Sequence, residues 1–158
     1  MKKDNIKTNA IRILDKNKIN YIIHEYDNTC TDGKSVANLV GIDENKVFKT
    51  LVTVSNNNIH FVFCVPVNKS LNLKKAASIV GVKSIAMIHQ KDLLGLTGYI
   101  HGGCSPIGMK KEFTTVIDES CLQFARICVS GGKVGVQIEL ATLDLIKYLN
   151  CRTADLTE

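Results

Sequence analysis

Residues 47–65, VFKTLVTVSNNNIHFVFCV, carry the clearest structural signal in the chain. Two runs of β-branched, aromatic and other apolar residues, 47–54 and 59–65, flank the segment Ser-Asn-Asn-Asn. Such runs favour β-strands, and an asparagine-rich turn between them predicts an antiparallel hairpin. Both faces of the first run are largely apolar, so we expect a strand in the centre of a sheet.

Lys49 interrupts the apolar character of that first strand. Side chains alternate along a strand, so Lys49 shares a face with Val47 and Leu51. An ammonium group buried without a partner is very costly. The side chain must therefore either reach solvent at the rim of the sheet or point into a polar pocket, and the sequence leaves both open.

The sequence on both sides of this hairpin mixes helix and strand patterns. Asn72 is a typical N-cap, and Gly41 and Gly81 are typical glycines after a helix. The patterns predict helices at 6–17, 35–40, 73–80, 90–94 and about 141–149, strands at 21–26, 84–88, 113–117, 126–129 and 134–140, a helical turn at 119–124, a hairpin turn at 130–133 and a short tail. This mixture predicts a single α+β domain over residues 1–158, with one curved sheet and helices packed outside it.

Composition limits the class of protein. A chain of 158 residues suits one domain with a hydrophobic core. There is no apolar run of membrane-spanning length and no apolar stretch after the charged N-terminus, so we expect a cytoplasmic protein. The six cysteines form no C-x-x-C pair, and several lie in strand-like runs, which favours reduced, buried thiols. A net charge of +5 permits a polyanionic partner without establishing one.

Residues 97–111, TGYIHGGCSPIGMKK, form the most glycine-rich segment. Gly102 and Gly103 would let backbone N–H groups approach a ligand, and amides presented in this way bind anions or a polarised carbonyl oxygen. A plain turn between two strands would show the same composition. The glycine spacing excludes a dinucleotide-binding fingerprint.

The other candidates give a short inventory of groups for chemistry. The segment 130–133, SGGK, lacks the first glycine and the hydroxyl residue of a phosphate-binding P-loop, and a plain hairpin turn would explain it. His101 and Cys104 have no second ligand pair at zinc spacing, so we expect no metal. No histidine is tied by sequence to a serine or cysteine nucleophile. One lysine, hydroxyl groups and glycine-rich turns can bind and polarise an ester or phosphate.

Several segments, in this order, resemble the YbaK/EbsC family. This is the cysteinyl-tRNA(Pro) deacylase branch of the bacterial prolyl-tRNA synthetase editing-domain superfamily. The resemblance covers about residues 8–156. The segments that carry it are HEY at 24–26, VFKTL at 47–51, LKK at 73–75, TGYIHGGCSPIG at 97–108 with Lys110-Lys111, Ile117-Asp118, VSGGK at 129–133 and IEL at 138–140.

The resemblance implies a trans-editing enzyme that hydrolyses the ester between cysteine and the terminal adenosine of tRNA(Pro). It implies a partly barrel-like mixed sheet, no cofactor and no metal. The implied partners are mischarged tRNA(Pro) and prolyl-tRNA synthetase, with no DNA and no membrane. Lys49 would be the catalytic residue; the substrate-binding residues would be Tyr26, Thr50, Gly102, Gly103, Ser130 and Gln137.

Gln137 departs from this pattern, because close relatives often have an aspartate at that place, and an acid/base role there is in doubt. In this family the thiol of the substrate is thought to attack its own ester, which would make the cysteines of the protein bystanders. Three alternatives stay open: a deacylase for another mischarged tRNA such as alanyl-tRNA(Pro), a non-catalytic adaptor that binds tRNA or a synthetase, and a phosphate- or nucleotide-binding protein.

Overall fold

A computed structural model describes residues 7–27, 29 and 32–158 of the chain. The α-helices are α1 (Asn9–Lys16), α2 (Gly33–Val40), α3 (Leu73–Val80), α4 (Gln90–Thr97) and α5 (Thr142–Leu149). The strands are β1 (Tyr21–Glu25), β2 (Phe48–Ser55), β3 (His60–Pro66), β4 (Ile85–Met87), β5 (Thr114–Asp118), β6 (Arg126–Lys133), β7 (Val136–Ala141) and β8 (Arg152–Ala154). Two 3-10 helices cover Glu44–Lys46 and Glu119–Gln123.

The strands form two sheets. One is three-stranded, in the order β1-β7-β6, and the other is five-stranded, in the order β4-β2-β3-β5-β8. An isolated parallel bridge between Val47 and Cys128 connects them. The α+β class is therefore confirmed. The structure has two sheets where we expected one, and neither sheet closes into a barrel. The sheets are separate because, among the described residues, strand pairing between them is limited to that one bridge.

The hairpin predicted at residues 47–65 is present. β2 and β3 pair antiparallel from Phe48↔Pro66 to Val54↔His60. The expectation that β2 is central holds for only part of its length. On its other side β4 pairs with Thr53–Ser55 alone, because β4 contains three residues.

Local helix signals were good guides to the helix ends. The Asn72 side chain accepts a hydrogen bond from the Lys75 amide, and α3 ends before Gly81, which has a left-handed φ of 76°. α1 is shorter than the predicted 6–17, with Thr8 as its N-cap. Ala10, Ile11 and Leu14 form the buried side of α1. The predicted start of that helix at Ile6 lies outside the described residues.

The structure also differs from the turn predicted at residues 130–133. This segment is not the hairpin turn but the end of β6, with a bulge between Ser130 and Lys133, and the chain reverses at Val134-Gly135. Gly132 and Gly135 have φ values of 103° and 98°, so each tolerates the bend that the bulge and the turn require. The predicted short tail also contains a strand, β8, which pairs parallel with β5.

Two main groups of buried side chains hold the fold together. Helices α1 and α5 pack on the three-stranded sheet through residues such as Leu14, Leu145 and Ile138. Helix α3 packs Ala76 and Ala77 on the five-stranded sheet. Within the described residues, no helix is both long enough and apolar enough to cross a bilayer.

Candidate active site

A cavity of about 590 Å³ lies where the two sheets separate. Its wall includes five consecutive residues, 48–52, of β2. Six of the seven expected site residues line it: Tyr26, Lys49, Thr50, Gly102, Ser130 and Gln137. The sequence positions of these residues span more than a hundred residues, and the fold brings them to one place.

Lys49 lines this cavity. The side chain is half-buried, and burial lowers its pKa below the ordinary value for lysine, while the charge of Asp32 acts in the opposite direction. Asp32 also lines the cavity. The sequence left open whether Lys49 reaches solvent at the rim of the sheet or lies at a polar pocket, and in the structure it lies at the pocket. An ammonium group in such a place donates hydrogen bonds to negative charge on a ligand.

The two glycines of the glycine-rich segment lie in different surroundings. Gly102 lines the cavity with a left-handed φ of 86°. Gly103 is not among the lining residues, and its N–H donates to the Ile100 carbonyl oxygen at 2.9 Å. A Cβ on Gly103 would lie 2.9 Å from the Cα of Lys133 and from the amide nitrogen of Val134. Gly103 therefore allows close contact between the glycine-rich segment and the β6–β7 turn.

Helix α1 holds this part of the wall from behind. Thr8 Oγ1 donates to the Gly131 carbonyl oxygen at 2.5 Å, and Asn9 Nδ2 donates to the Gly108 carbonyl oxygen at 2.6 Å. The Tyr99 hydroxyl donates to the Ile107 carbonyl oxygen at 2.5 Å. Sequence reasoning found Thr8 and Asn9 only as helix residues, because no local pattern shows which distant carbonyl groups they reach.

Polar side chains complete the wall. Ser130 Oγ accepts a hydrogen bond from the Gly132 amide at 3.2 Å, and Thr50 Oγ1 lies 3.8 Å from Cys64 Sγ. Gln137 is 7% exposed. Its Oε1 is buried and has no hydrogen-bond partner in the described part of the chain. A buried polar atom without a hydrogen-bond partner lowers the stability of a fold by about 1–3 kcal/mol, and the Gln137 amide oxygen is such an atom beside the cavity.

A network of charged residues continues from Gln137 along the same sheet. His24 Nε2 lies 2.8 Å from Glu139 Oε1, and Arg126 Nε donates to Glu139 Oε2 at 3.2 Å. The hydrogen bond from His24, followed by that from Arg126, lowers the pKa of Glu139, against the opposing effect of burial. Ligand atoms of His24, Cys128 and Glu139 lie within 4.8 Å of one another, as a metal site would require. Arg126 and His24 both contact the Glu139 carboxylate, so in this structure the group forms a hydrogen-bonded network that links β1, β6 and β7.

The thiol that lines the cavity is a poor nucleophile. Burial raises the pKa of Cys104 to about 11, and the thiol rather than the thiolate is present at neutral pH. His101 also lines the cavity, but no hydrogen bond joins it to a hydroxyl or thiol group among the described residues. The site therefore offers a cation, hydroxyl groups and backbone amides to a ligand that brings its own reactive group.

Residues 27–148 match the sequence profile of the aminoacyl-tRNA editing domain. The chain belongs to the aminoacyl-tRNA editing domain family, and it is an aminoacyl-tRNA deacylase.

A curated relative supports this assignment. The chain is 44% identical over 158 residues to EbsC of Enterococcus faecalis, provisionally named a Cys-tRNA(Pro)/Cys-tRNA(Cys) deacylase. The alignment covers 99% of this chain and 96% of EbsC.

Solved structures confirm the fold. One, described provisionally as a trans-editing enzyme for prolyl tRNA synthetase, has a TM-score of 0.84 at 23% identity, with 98% of this chain and 99% of that chain covered. A second, a hypothetical protein, has a TM-score of 0.87 at 20% identity, with 95% and 99% covered. At these identities the likeness shows the fold alone.

Proposed function

We propose that this protein hydrolyses cysteinyl-tRNA(Pro) in trans, and so removes cysteine that prolyl-tRNA synthetase attaches by mistake. The observation that carries the proposal is the cavity at the division between the sheets, which gathers Lys49 and Gly102 with four other residues expected from the family. The name of the relative EbsC contains the same substrate. The volume of about 590 Å³ is within the range of about 300–1,000 Å³ typical of small-molecule sites.

In the proposed reaction the nucleophile belongs to the substrate. The cysteine sulfur forms a bond to its own ester carbonyl carbon, and the ester C–O bond then breaks. The ribose oxygen leaves with the thiol proton, and water opens the resulting thiolactone to free cysteine. The protein orients the thiol and stabilises the developing oxyanion. Neither role requires an activated nucleophile from the protein.

Lys49 would supply the electrostatic part of this stabilisation. Its ammonium group is half-buried, where a charge acts more strongly than in water. The Gly102 backbone would form the opposite wall, and Tyr26, Thr50, Ser130 and Gln137 would hold the aminoacyl group and the ribose. Side-chain size separates similar amino acids weakly, so preference for cysteine would come mainly from its thiol.

Selection of tRNA(Pro) would depend on a partner. We propose that prolyl-tRNA synthetase, which holds the mischarged tRNA, recruits the protein, and that residues 1–158 act as one domain in that complex.

A deacylation panel tests the proposed function. Purified protein is mixed with cysteinyl-tRNA(Pro), alanyl-tRNA(Pro), prolyl-tRNA(Pro) and cysteinyl-tRNA(Cys), with and without prolyl-tRNA synthetase. We expect fast hydrolysis of the cysteinyl esters and little of the others, and preference for tRNA(Pro) only with the synthetase. Faster hydrolysis of alanyl-tRNA(Pro) would contradict the thiol mechanism, and binding of tRNA without hydrolysis would favour an adaptor.

A further inference from the structure

Within the described residues, one edge of strand β2 has no strand partner where it borders the cavity. On one side β3 pairs with β2 from Phe48 to Val54. On the other side β4 pairs only with Thr53–Ser55, and β6 forms one bridge, from Cys128 to Val47, the residue before β2. β6 lies near β2, but among the described residues no strand pairs with residues 48–52 on that side.

Two backbone hydrogen bonds give the direction of the backbone groups along this edge. In an antiparallel strand the N–H and C=O of one residue point to the same side, and the side alternates from residue to residue. The Ser55 amide donates to Ile59 at 2.8 Å, so odd-numbered residues face β3. The Ile88 amide donates to the Val52 carbonyl oxygen at 3.3 Å, so even-numbered residues face β4. The N–H and C=O of Thr50 and the N–H of Val52 therefore point away from β3, into the gap.

The cavity fills that gap. Five consecutive residues, 48–52, line it. Consecutive side chains of a strand lie on opposite faces of the sheet, so a cavity that runs along the edge of the strand accounts for contact with all five. Backbone donors and acceptors without a partner are costly unless water or a ligand satisfies them. Thr50 thus offers one donor and one acceptor to whatever occupies the cavity.

We propose that this edge binds the aminoacyl group of the substrate in the manner of one added strand residue, an inference that rests on the proposed deacylase function. The α-amino group donates to the Thr50 carbonyl oxygen, and the ester carbonyl oxygen accepts from the Thr50 N–H. An aminoacyl ester carries this donor and acceptor on one residue, as a neighbouring strand does. The contact fixes the direction of the ester carbonyl whatever the amino-acid side chain is.

The test is an NMR titration of ¹⁵N-labelled protein with cysteine joined by a stable amide bond to 3′-amino-3′-deoxyadenosine. We expect the Thr50 and Val52 amide signals to shift and to exchange more slowly with solvent. The amides of Lys49 and Leu51 face β3 and serve as an internal control that should change little. The Thr50→Val variant should retain the effect at the residue 50 amide, because the contact is made by the main chain.

A second ligand tests the amino group directly. The 3-mercaptopropionyl analogue lacks this group, and its Kd should be roughly 10- to 100-fold weaker, the usual cost of a lost hydrogen bond to a charged group. Equal affinity of the two ligands, shifts that spare Thr50 and Val52, equal shifts at Lys49 and Leu51, or no binding would each overturn the inference. Deacylation of cysteinyl-tRNA(Pro) is measured separately, and its retention in any of these cases would leave the proposed function standing.

Discussion

At the scale of single residues, Lys49 is the position on which the proposed chemistry depends most. Lys49→Ala should lower kcat/KM for cysteinyl-tRNA(Pro) by about 10²–10³, the usual effect of removing one group that stabilises an oxyanion. Lys83→Ala, at an exposed lysine, is the matched control and should keep full activity. Thermal unfolding should show both variants folded. Full activity of Lys49→Ala would move the site elsewhere.

The ionisation of Lys49 gives a pH prediction. Burial lowers its pKa, and only the protonated form can stabilise an oxyanion. After subtraction of spontaneous ester hydrolysis, kcat/KM should therefore rise as the substrate thiol ionises and then fall as Lys49 loses its proton, with the fall at a lower pH than the ordinary lysine pKa of about 10.4 would give. Lys49→Arg should remove this fall from its rate profile, whatever its absolute rate, because arginine stays protonated. An unchanged profile in that variant would assign the titration to another group.

For Cys104 we predict that substitution leaves the activity almost unchanged. Its pKa is raised to about 11 by burial, and the proposed nucleophile is the substrate thiol. Cys104→Ser should thus keep kcat within about threefold of the unmodified protein, since no bond to Cys104 forms. Single-turnover deacylation measures this. An inactive but folded Cys104→Ser protein would favour a protein nucleophile.

At the scale of elements, contact between the glycine-rich segment and the β6–β7 turn shapes the wall. Gly103→Ala would place a Cβ 2.9 Å from two backbone atoms, which cannot retreat as a flexible side chain can. We expect a loss of about 1–3 kcal/mol in the free energy of unfolding, the usual cost of overpacking. Gly95→Ala is the control, since nothing lies within 4 Å of its added Cβ. Urea unfolding should show Gly95→Ala unchanged or slightly more stable.

These elements also show what the sequence could and could not predict. The hairpin at residues 47–65 and the ends of α3 follow from local patterns, namely β-branched runs, an asparagine turn, the Asn72 cap and Gly81. The bulge in β6 does not, because the Gly-Gly pair is equally suited to a turn. The family resemblance supplied six residues that line the cavity. It did not reveal that Gly103 lies behind the wall, which depends on packing between distant segments.

At the scale of the whole molecule, the Glu139 network links stability to pH. Interactions with His24 and Arg126 lower the pKa of Glu139 in the folded protein. The stabilisation is therefore complete above the unfolded pKa of about 4.3 and is lost as pH falls through the lower folded value. Glu139→Gln should reduce stability at pH 7 by about 1–3 kcal/mol and flatten its decline in acid. Urea unfolding between pH 3 and pH 7 measures both effects, and a parallel decline in the variant would contradict the assignment.

The single bridge between the two sheets has a mechanical consequence. In the part of the chain that the structure describes, only Val47 and Cys128 join them by strand pairing, while the cavity has walls from both. A bound aminoacyl end would contact both sheets and so form a second connection between them. The three-stranded and five-stranded sheets should then separate less often. We therefore expect substrate analogues to slow amide exchange even in β8, the edge strand of the five-stranded sheet.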